Sequence, residues 1–208
     1  MMGGVNKPPR LQCPRCERPN AACICAWVRP VDNAVELLLL QHPLEQHEAK
    51  GTARLLRLSL ARCELWVGEQ FDAAALAAAT AGAALLYPPT ANAAAAVMSL
   101  PADNLPRRLI VIDATWPKSR KMLALNPSLL SLPRLLLTEG GLPASRYAAL
   151  RHARQPQQRS TLEASVHALQ QLEPQPERYA PLLAAFEGFV AEQLGRRGGL
   201  ESRQREPM

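Results

Sequence analysis

The sequence predicts an α/β protein that has a mainly parallel sheet with helices on both faces. Apolar segments of strand length alternate with helical segments along the chain, and this order is typical of parallel sheets. The nearly continuous apolar runs at 34–43 (AVELLLLQHP) and 107–113 (RRLIVID) indicate strands that helices cover on both sides. Four cysteines ahead of the first strand add a small N-terminal module. We therefore divide the chain into a module at 1–30, a main domain at 31–197 and a disordered tail at 198–208.

Each predicted element has a local signal. The strands are short apolar runs closed by Gly, Pro or polar residues, at 34–43, 64–68, 84–89, 107–113 and 133–138. The helices are longer segments with a helical period or an alanine-rich composition, at 51–63, 72–82, 90–100, 117–126, 160–172 and 176–197. Asp72 and Gly82 mark the ends of one helix, and Pro117 stands in the first turn of another, where its missing N–H costs nothing. A polar, arginine-rich loop fills 139–159.

The composition favours a polyanionic partner. The chain carries 24 basic and 18 acidic residues, a net charge of +6 and an isoelectric point near 9.4. Such an excess is typical of nucleic-acid-binding proteins, but an arginine-rich composition also produces it by itself, so the charge alone leaves both readings open. No segment resembles a transmembrane helix or a secretory signal peptide. We therefore expect a cytoplasmic protein with no membrane contact, in a compartment that keeps thiols reduced.

Four of the five cysteines lie close together and predict a structural zinc site. Cys13, Cys16, Cys23 and Cys25 have the spacing C-x2-C-x6-C-x-C. The first pair supplies a knuckle turn, and the second pair closes a tetrahedral site from a short loop. A redox pair usually opens a helix behind a strand, which is not predicted here, and disulfides need an oxidising compartment. Protein ligands fill all four positions, so we expect a structural metal; Cys63 stands alone and is expected in the core.

The segment DATW, at 113–116, is the candidate for chemistry. Asp113 follows the clearest buried strand, and ligands of parallel sheets bind beyond the carboxyl ends of the strands. A partly desolvated carboxylate accepts a proton more readily, so Asp113 is our candidate general base. Trp116 could stack on a base or an adenine ring. Alternatively, Asp113 or Thr115 only caps the next helix and Trp116 packs in the core, and the residues alone leave the two readings equal.

Five further pieces accompany DATW. They are the cysteine cluster, LLLLQHPLE, KGTARLL, SRY and STLEA, at 13–25, 37–45, 50–56, 145–147 and 160–164. With these pieces in this order, the chain resembles the DTW-domain proteins, the tRNA-uridine aminocarboxypropyltransferases. STLEA also fits a capping box, in which the side chains of Ser160 and Glu163 each bond the other's backbone N–H group.

The resemblance implies a reaction and a fold. Family members use S-adenosylmethionine to transfer its 3-amino-3-carboxypropyl group to N3 of a tRNA uridine, and they release methylthioadenosine. The implied fold is related to that of the SPOUT methyltransferases, with a knotted C-terminal segment that forms the cofactor pocket. The implied partners are tRNA and S-adenosylmethionine, while the oligomeric state stays open. Two alternatives remain, namely a SPOUT-type RNA methyltransferase and a non-catalytic zinc-containing RNA-binding protein.

The resemblance and the chemistry together give a set of expected site residues. Asp113 is the expected base that removes the N3 proton. The residues expected around the cofactor are Tyr87, Asp113, Ala114, Thr115, Trp116, Leu137, Arg146, Ser160, Thr161 and Leu162. Within this set, Arg146 or the backbone of 160–162 could bind the carboxylate of the cofactor. The residues expected to bind RNA phosphates are Lys50, Arg54, Lys118, Arg120, Lys121, Arg151 and Arg154.

Overall fold

The computed structural model describes residues 11–46, 48, 51–88, 105–138, 145 and 159–203. The strands within them are β1 (Glu36–Gln41), β2 (Cys63–Val67), β3 (Ala83–Leu86), β4 (Arg108–Asp113) and β5 (Arg134–Leu135). They form one five-stranded sheet in the order β2-β1-β4-β3-β5, in which all neighbouring pairs run parallel. The predicted parallel sheet is therefore confirmed. Because all strands point the same way, their carboxyl ends meet at one edge, which we call the carboxyl edge.

Helices cover both faces of this sheet, as predicted. They are α1 (Ala53–Ser59), α2 (Ala73–Thr80), α3 (Trp116–Leu125), α4 (Thr161–Leu172) and α5 (Ala180–Arg203). Side chains alternate along a strand, so Leu37 and Leu39 of β1 contribute to the core on one face, and Leu38 and Leu40 to the core on the other. The first core contains residues of α1, α4 and α5, and the second contains residues of α2 and α3. None of the described helices is both long and apolar enough to cross a bilayer.

Local signals set several of the helix ends. Asp72 is the N-cap of α2, and its carboxylate accepts a hydrogen bond of 2.8 Å from the N–H of Ala75. Gly82 follows this helix with a φ of +67°, a conformation that glycine adopts without strain. Ser160 and Glu163 form the predicted capping box at the start of α4. These short-range predictions are confirmed because each depends on neighbouring residues.

The bounds of several elements differ from the prediction, as three examples show. The helix predicted at 51–63 ends at Ser59, because Leu60 is already extended and β2 begins at Cys63. The strand predicted at 133–138 has only two residues, because among the described residues only Arg134 and Leu135 pair with β3. The last helix runs to Arg203, beyond the predicted start of a disordered tail at 198, because an anchored helix extends with one hydrogen bond per added residue.

Other predicted elements lie outside the described residues. These are the helix at 90–100, nearly all of the loop at 139–159, and the tail at 204–208.

The N-terminal module packs into the main hydrophobic core. Cys16, Ile24 and Val28 belong to the same buried cluster as Phe186 and Phe189 of α5. The ring of Trp27 lies directly against Gly188 of α5, and its Nε1–H donates a hydrogen bond of 2.7 Å to the carboxylate of Glu192. The module and the last helix therefore stabilise each other.

Substitution of Gly188 by alanine is expected to destabilise the protein. A Cβ atom at this position would lie 2.2 Å from Cζ3 of Trp27, which is too close for any real contact. Either the ring or the helix must move, so we expect the free energy of unfolding to fall by about 1–3 kcal/mol. Gly195 is the matched control, because a Cβ atom there meets no heavy atom within 4 Å. Thermal unfolding should show Gly188→Ala as the less stable variant, and equal effects would contradict this packing.

Candidate active site and metal centre

Asp113 lies at the carboxyl edge, in the centre of the sheet. It is the last residue of β4 and is paired in register with Gln41, the last residue of β1. The Nε2 group of Gln41 donates a hydrogen bond of 2.7 Å to Oδ2 of Asp113, and the hydroxyl of Thr161 donates to Oδ1. The side chain is buried, with 9% of Asp113 exposed. Two neutral donors therefore fix the orientation of a carboxylate at the point where ligands of parallel sheets bind.

The N-terminus of α4 contacts this carboxylate through Thr161, which lies 48 residues further along the chain. Thr161 is the first residue of α4, and the next backbone N–H, that of Leu162, donates to the hydroxyl of Thr52 at 3.2 Å. Glu163 is buried and accepts a hydrogen bond of 2.9 Å from the hydroxyl of Ser145. The pieces KGTARLL, SRY and STLEA, which are far apart in the sequence, thus each place a residue around the start of α4.

The aromatic side chains of the site also lie near this edge. Trp116 begins α3 with 49% of its surface exposed, so it is not a core residue. Its ring meets the ring of Tyr87 edge-on, with 5.7 Å between the centroids. The hydroxyl of Tyr87 is hydrogen-bonded to Ser119 at 2.9 Å, which ties the carboxyl end of β3 to α3. Thr115 occupies the N-cap position of α3, but its hydroxyl makes no capping hydrogen bond.

Two of the lysines expected to bind RNA pair with carboxylates. Lys118 contacts Glu45 at 2.8 Å, and Lys121 contacts Glu69 at 2.6 Å. The hydrogen bond from Lys121, and then that from His42, lower the pKa of Glu69, so this side chain carries a negative charge at neutral pH. Arg120 lies between the two lysines in sequence and is exposed. The two lysines are thus already paired with carboxylates, which makes Arg120 the best candidate of the three for a phosphate contact.

The remaining expected residues fall into two groups. Arg54 forms an ion pair with Glu17 of the N-terminal module, while Ala114 and Leu137 are partly buried against the two cores. Lys50, Arg146, Arg151 and Arg154 lie outside the described residues.

The sulfur atoms of Cys13, Cys16, Cys23 and Cys25 converge on one point. All four Sγ atoms lie within 4.8 Å of one another. The Sγ atoms of Cys13 and Cys25 are 3.7 Å apart, and those of Cys16 and Cys23 are 3.8 Å apart. A tetrahedral zinc ion with Zn–S bonds of about 2.3 Å holds its sulfurs about 3.8 Å apart. The cluster therefore could hold a metal ion of this size, and its cysteines are free thiols rather than disulfides.

The electrostatics of the cluster also suit a cation. Backbone hydrogen bonds from Cys16 and Arg15 lower the pKa of the Cys13 thiol to about 6. Burial, followed by the neighbouring sulfurs, raises the pKa of the Cys25 thiol to about 12. Four thiolates at these distances repel one another unless a positive ion lies between them. Cys63 is buried away from the cluster, as predicted.

Two residues of the cysteine module contact the chain segment at the start of α1. The guanidinium of Arg18 donates a hydrogen bond of 2.6 Å to the carbonyl of Gly51, and a second one of 3.4 Å to the carbonyl of Glu48. Glu17 pairs with Arg54 on the same segment. Thr52, which bonds the N-terminus of α4, lies between these two contacts. We call this pair of contacts, from Glu17 and Arg18, the module clamp.

Loss of the module clamp is expected to loosen the N-terminus of α4. Arg18→Met removes the hydrogen bonds to the segment that carries Thr52 but leaves the cysteines intact, so the metal content should not change. The amide of Leu162 should exchange with solvent several-fold faster, because its acceptor on Thr52 is less well held. Arg29→Met is the control, because the Arg29 guanidinium bonds the carbonyls of Ala26 and Val28 within the module. Unchanged exchange at Leu162 in Arg18→Met would show that the clamp does not position this segment.

The sequence did not predict a role for two residues of the site, Gln41 and Thr52. Gln41 belongs to the LLLLQHPLE segment, but its role follows from the pairing of β1 with β4, which the sequence does not reveal. Thr52 was missed for the same reason, because its partner Leu162 lies 110 residues away. A polar residue that closes an otherwise apolar strand was the available signal for Gln41.

Comparison with known proteins agrees with the motifs. The DTW domain profile matches residues 10–194. The tRNA-uridine aminocarboxypropyltransferase 2 of Mus musculus is 31% identical over 79% of this chain and 57% of its own length. The protein of the same name from Drosophila melanogaster is 30% identical over 95% of this chain and 80% of its own length.

A plant protein matches over a shorter range. The tRNA-uridine aminocarboxypropyltransferase A of Arabidopsis thaliana is 31% identical over 54% of this chain and 50% of its own length. The chain spans a little more than half the length of the mouse protein. No solved structure gives a significant match to the chain. Since the domain profile covers most of its residues, and a carboxylate and a cysteine cluster are built at the matching motifs, the chain belongs to the DTW domain family.

Proposed function

We propose that this protein transfers the 3-amino-3-carboxypropyl group of S-adenosylmethionine to N3 of a tRNA uridine and releases methylthioadenosine. The observation that carries the proposal is the buried carboxylate of Asp113, oriented by Gln41 and Thr161 at the carboxyl edge. The names of the relatives from mouse, fruit fly and Arabidopsis support the same reaction. In this reaction the bond between sulfur and the γ-carbon breaks, a bond from N3 to that carbon forms, and the N3 proton leaves.

Asp113 is the proposed base for that proton. The N3–H group of uridine is a weak acid, so a base must remove or share its proton when the new bond forms. Donors that hold a carboxylate in one orientation aim its proton-accepting oxygens and reduce the motion needed during reaction. The sulfonium is already a good leaving group, so orientation and exclusion of water are the main tasks left to the protein.

The proposed donor site lies around the start of α3 and the start of α4. Trp116 has an exposed ring, and the ring of Tyr87 contacts it edge-on. A bound S-adenosylmethionine would supply an electrophilic carbon next to its sulfonium. Ala114, Leu137 and the capping-box turn at Ser160 complete the set that we propose around the cofactor, together with Thr115, Thr161, Leu162 and Arg146.

A SPOUT-like fold with a C-terminal knot is part of the same proposal. β5 lies at one edge of the sheet, whereas Thr161 at the start of α4 bonds Asp113 of the central strand β4, and β3 lies between these two strands. Most of the residues that connect β5 to α4 lie outside the described ranges, so the knot is proposed from the resemblance to the family. The division into a module at 1–30 and a catalytic domain at 31–197 is also proposed.

We further propose that the four cysteines bind structural zinc. The distances between their sulfurs support this metal, and their reduced state is consistent with the cytoplasm, which we propose as the site of the reaction.

The tRNA is proposed to bind along the exposed side of α3. Arg120→Glu is expected to weaken tRNA binding several-fold and to lower the salt dependence of the affinity, because one phosphate contact is lost. Arg107→Glu is the matched control, since Arg107 is an exposed arginine at the opposite edge of the sheet, next to the start of β4. Titration of labelled tRNA at two salt concentrations measures both effects. Equal losses in the two variants would show that only the total charge matters.

One experiment tests the reaction itself. Unmodified tRNA is incubated with the protein and S-adenosylmethionine, and both products are measured by mass spectrometry. Aminocarboxypropyl transfer predicts methylthioadenosine and a uridine that is heavier by the 3-amino-3-carboxypropyl group. S-adenosylhomocysteine with a methylated nucleotide would instead identify a methyltransferase. A protein that binds tRNA but has no affinity for S-adenosylmethionine would be an RNA-binding module, and the proposal would be wrong.

A further inference from the structure

Arg134 is a buried cation that is not hydrogen-bonded through its side chain to any other described residue. It is the first residue of β5, and its side chain is fully buried. In the part of the chain that the structure describes, none of the three guanidinium nitrogens is hydrogen-bonded. Buried arginines are almost always paired with an anion or with several acceptors, because a desolvated charge is otherwise unfavourable. Burial lowers the pKa of this guanidinium, but an arginine starts so high that it stays charged.

The position of Arg134 connects it to the candidate active site. Arg134 pairs with Leu85 of β3, so both side chains lie on the face that carries α2 and α3. Tyr87 lies two residues beyond Leu85 on the same face, and the guanidinium carbon of Arg134 is 5.6 Å from the centre of its ring. The same tyrosine ring contacts Trp116 of the DATW segment. The guanidinium therefore lies next to Tyr87, one of the two aromatic residues to which we assign the cofactor.

We infer that Arg134 binds the α-carboxylate of S-adenosylmethionine, an inference that rests on the proposed function. The carboxylate is the only anionic group of this cofactor, and the planar guanidinium fork matches it with two parallel hydrogen bonds. Full burial favours a small ligand over the phosphate of an RNA backbone, which approaches from the surface. The cation–π contact with Tyr87 helps to hold the guanidinium in place, and its N–H groups donate no hydrogen bond to another described residue.

This contact would decide which group the cofactor donates. Three carbon atoms are attached to the sulfonium, and the carbon that faces the acceptor is the one that is transferred. The α-carboxylate lies on the same branch as the γ-carbon, so an anchor at the carboxylate fixes that branch relative to the uridine. In the reaction the γ-carbon moves to N3, the electron pair of the broken bond stays on sulfur as methylthioadenosine, and the N3 proton passes to the base. Arg134 is thereby assigned a role in specificity.

The test compares S-adenosylmethionine, which carries the carboxylate, with a ligand that lacks the whole branch on which the carboxylate lies. Calorimetry measures the affinity of the wild type, Arg134→Met and Arg134→Lys for S-adenosylmethionine and for methylthioadenosine, which lacks the aminocarboxypropyl group. Arg134→Met should weaken S-adenosylmethionine binding by about ten- to a hundredfold, as expected for the loss of a charge-assisted hydrogen-bonded pair. Methylthioadenosine affinity should change by less than about twofold, and Arg134→Lys should fall between wild type and Arg134→Met. Arg62→Met, at an exposed arginine next to the start of β2, is the control and should bind both ligands as the wild type does.

Thermal unfolding separates this role from a structural one. If Arg134 serves a ligand, its removal takes away a buried charge that no described residue pairs with, so ligand-free Arg134→Met should melt at the same temperature as the wild type or higher. A lower melting temperature with equal losses for both ligands would overturn the inference, as would unchanged S-adenosylmethionine affinity. Weaker tRNA binding with unchanged cofactor affinity would assign Arg134 to a phosphate instead, and the inference would be wrong.

The proposed function can fail separately. A wild type that binds S-adenosylmethionine through Arg134 but releases S-adenosylhomocysteine would leave the carboxylate contact intact and refute only aminocarboxypropyl transfer. A wild type that forms methylthioadenosine with Arg134→Met binding both ligands normally would refute only the contact. A wild type without any affinity for S-adenosylmethionine would refute both.

Discussion

Asp113→Asn is expected to abolish transfer to tRNA while the protein stays folded. The amide has nearly the size of the carboxylate and can still accept a hydrogen bond, but it cannot take up the N3 proton. Loss of a general base typically lowers the rate by about a hundred- to ten-thousandfold. The affinity for S-adenosylmethionine should change far less than the rate, because the substitution removes chemistry rather than the binding surface. Single-turnover rates with excess protein, together with calorimetry of the cofactor, measure the two effects independently.

A second carboxylate provides the control for this experiment. Asp72 caps α2 with its side chain, and asparagine is an equally good N-cap residue. Asp72→Asn therefore makes the same chemical change at a carboxylate outside the site and should keep the wild-type rate. A folded Asp113→Asn protein with the wild-type rate would remove Asp113 as the base.

Substitution of Cys16, a proposed zinc ligand, should cause the largest fall in stability. Cys16 is completely buried and belongs both to the cysteine cluster and to the hydrophobic core. Cys16→Ser should release the metal and place a hydroxyl among apolar residues, so we expect a loss of about 3–5 kcal/mol in the free energy of unfolding. Metal analysis and thermal unfolding check this expectation. Treatment of the wild type with a strong chelator should lower the melting temperature in the same direction.

Cys63 is the matched residue for this second experiment. It is buried in the same core but lies outside the cluster, so Cys63→Ser should cost stability without any loss of metal. A Cys16→Ser protein that contains no metal and melts like the wild type would show that the cluster has no structural role.

The sequence predicted most of the fold because its signals are local. Five apolar runs gave the five strands, and Asp72 and Ser160 marked helix starts that the structure confirms. The helix predicted at 51–63 was too long because its amphipathic pattern continues past the point where the chain turns into β2. A hydrophobic pattern shows which face of a helix is buried, but it does not show where neighbouring elements need the chain to turn.

The candidate site could be predicted only in part. The cysteine cluster and DATW were recognisable because each is a short motif with its own chemistry. The pairing of Lys118 with Glu45 and of Lys121 with Glu69 could not be foreseen, because the partners are 73 and 52 residues apart. Arg134 was missed because, in the sequence, it is one arginine at the start of a short strand. Only the packing of β5 against β3 shows that its charge is buried.

The contact between Trp27 and α5 has a consequence for biosynthesis. The indole donates to Glu192, and these partners are separated by 165 residues. During translation the cysteine-bearing module emerges well before α5, so its apolar side stays uncovered until that helix has been synthesised. Throughout that interval its four sulfurs are accessible to oxidants and to competing ions. If the nascent chain binds the proposed zinc ion early, the ion would protect these thiols until α5 leaves the ribosome.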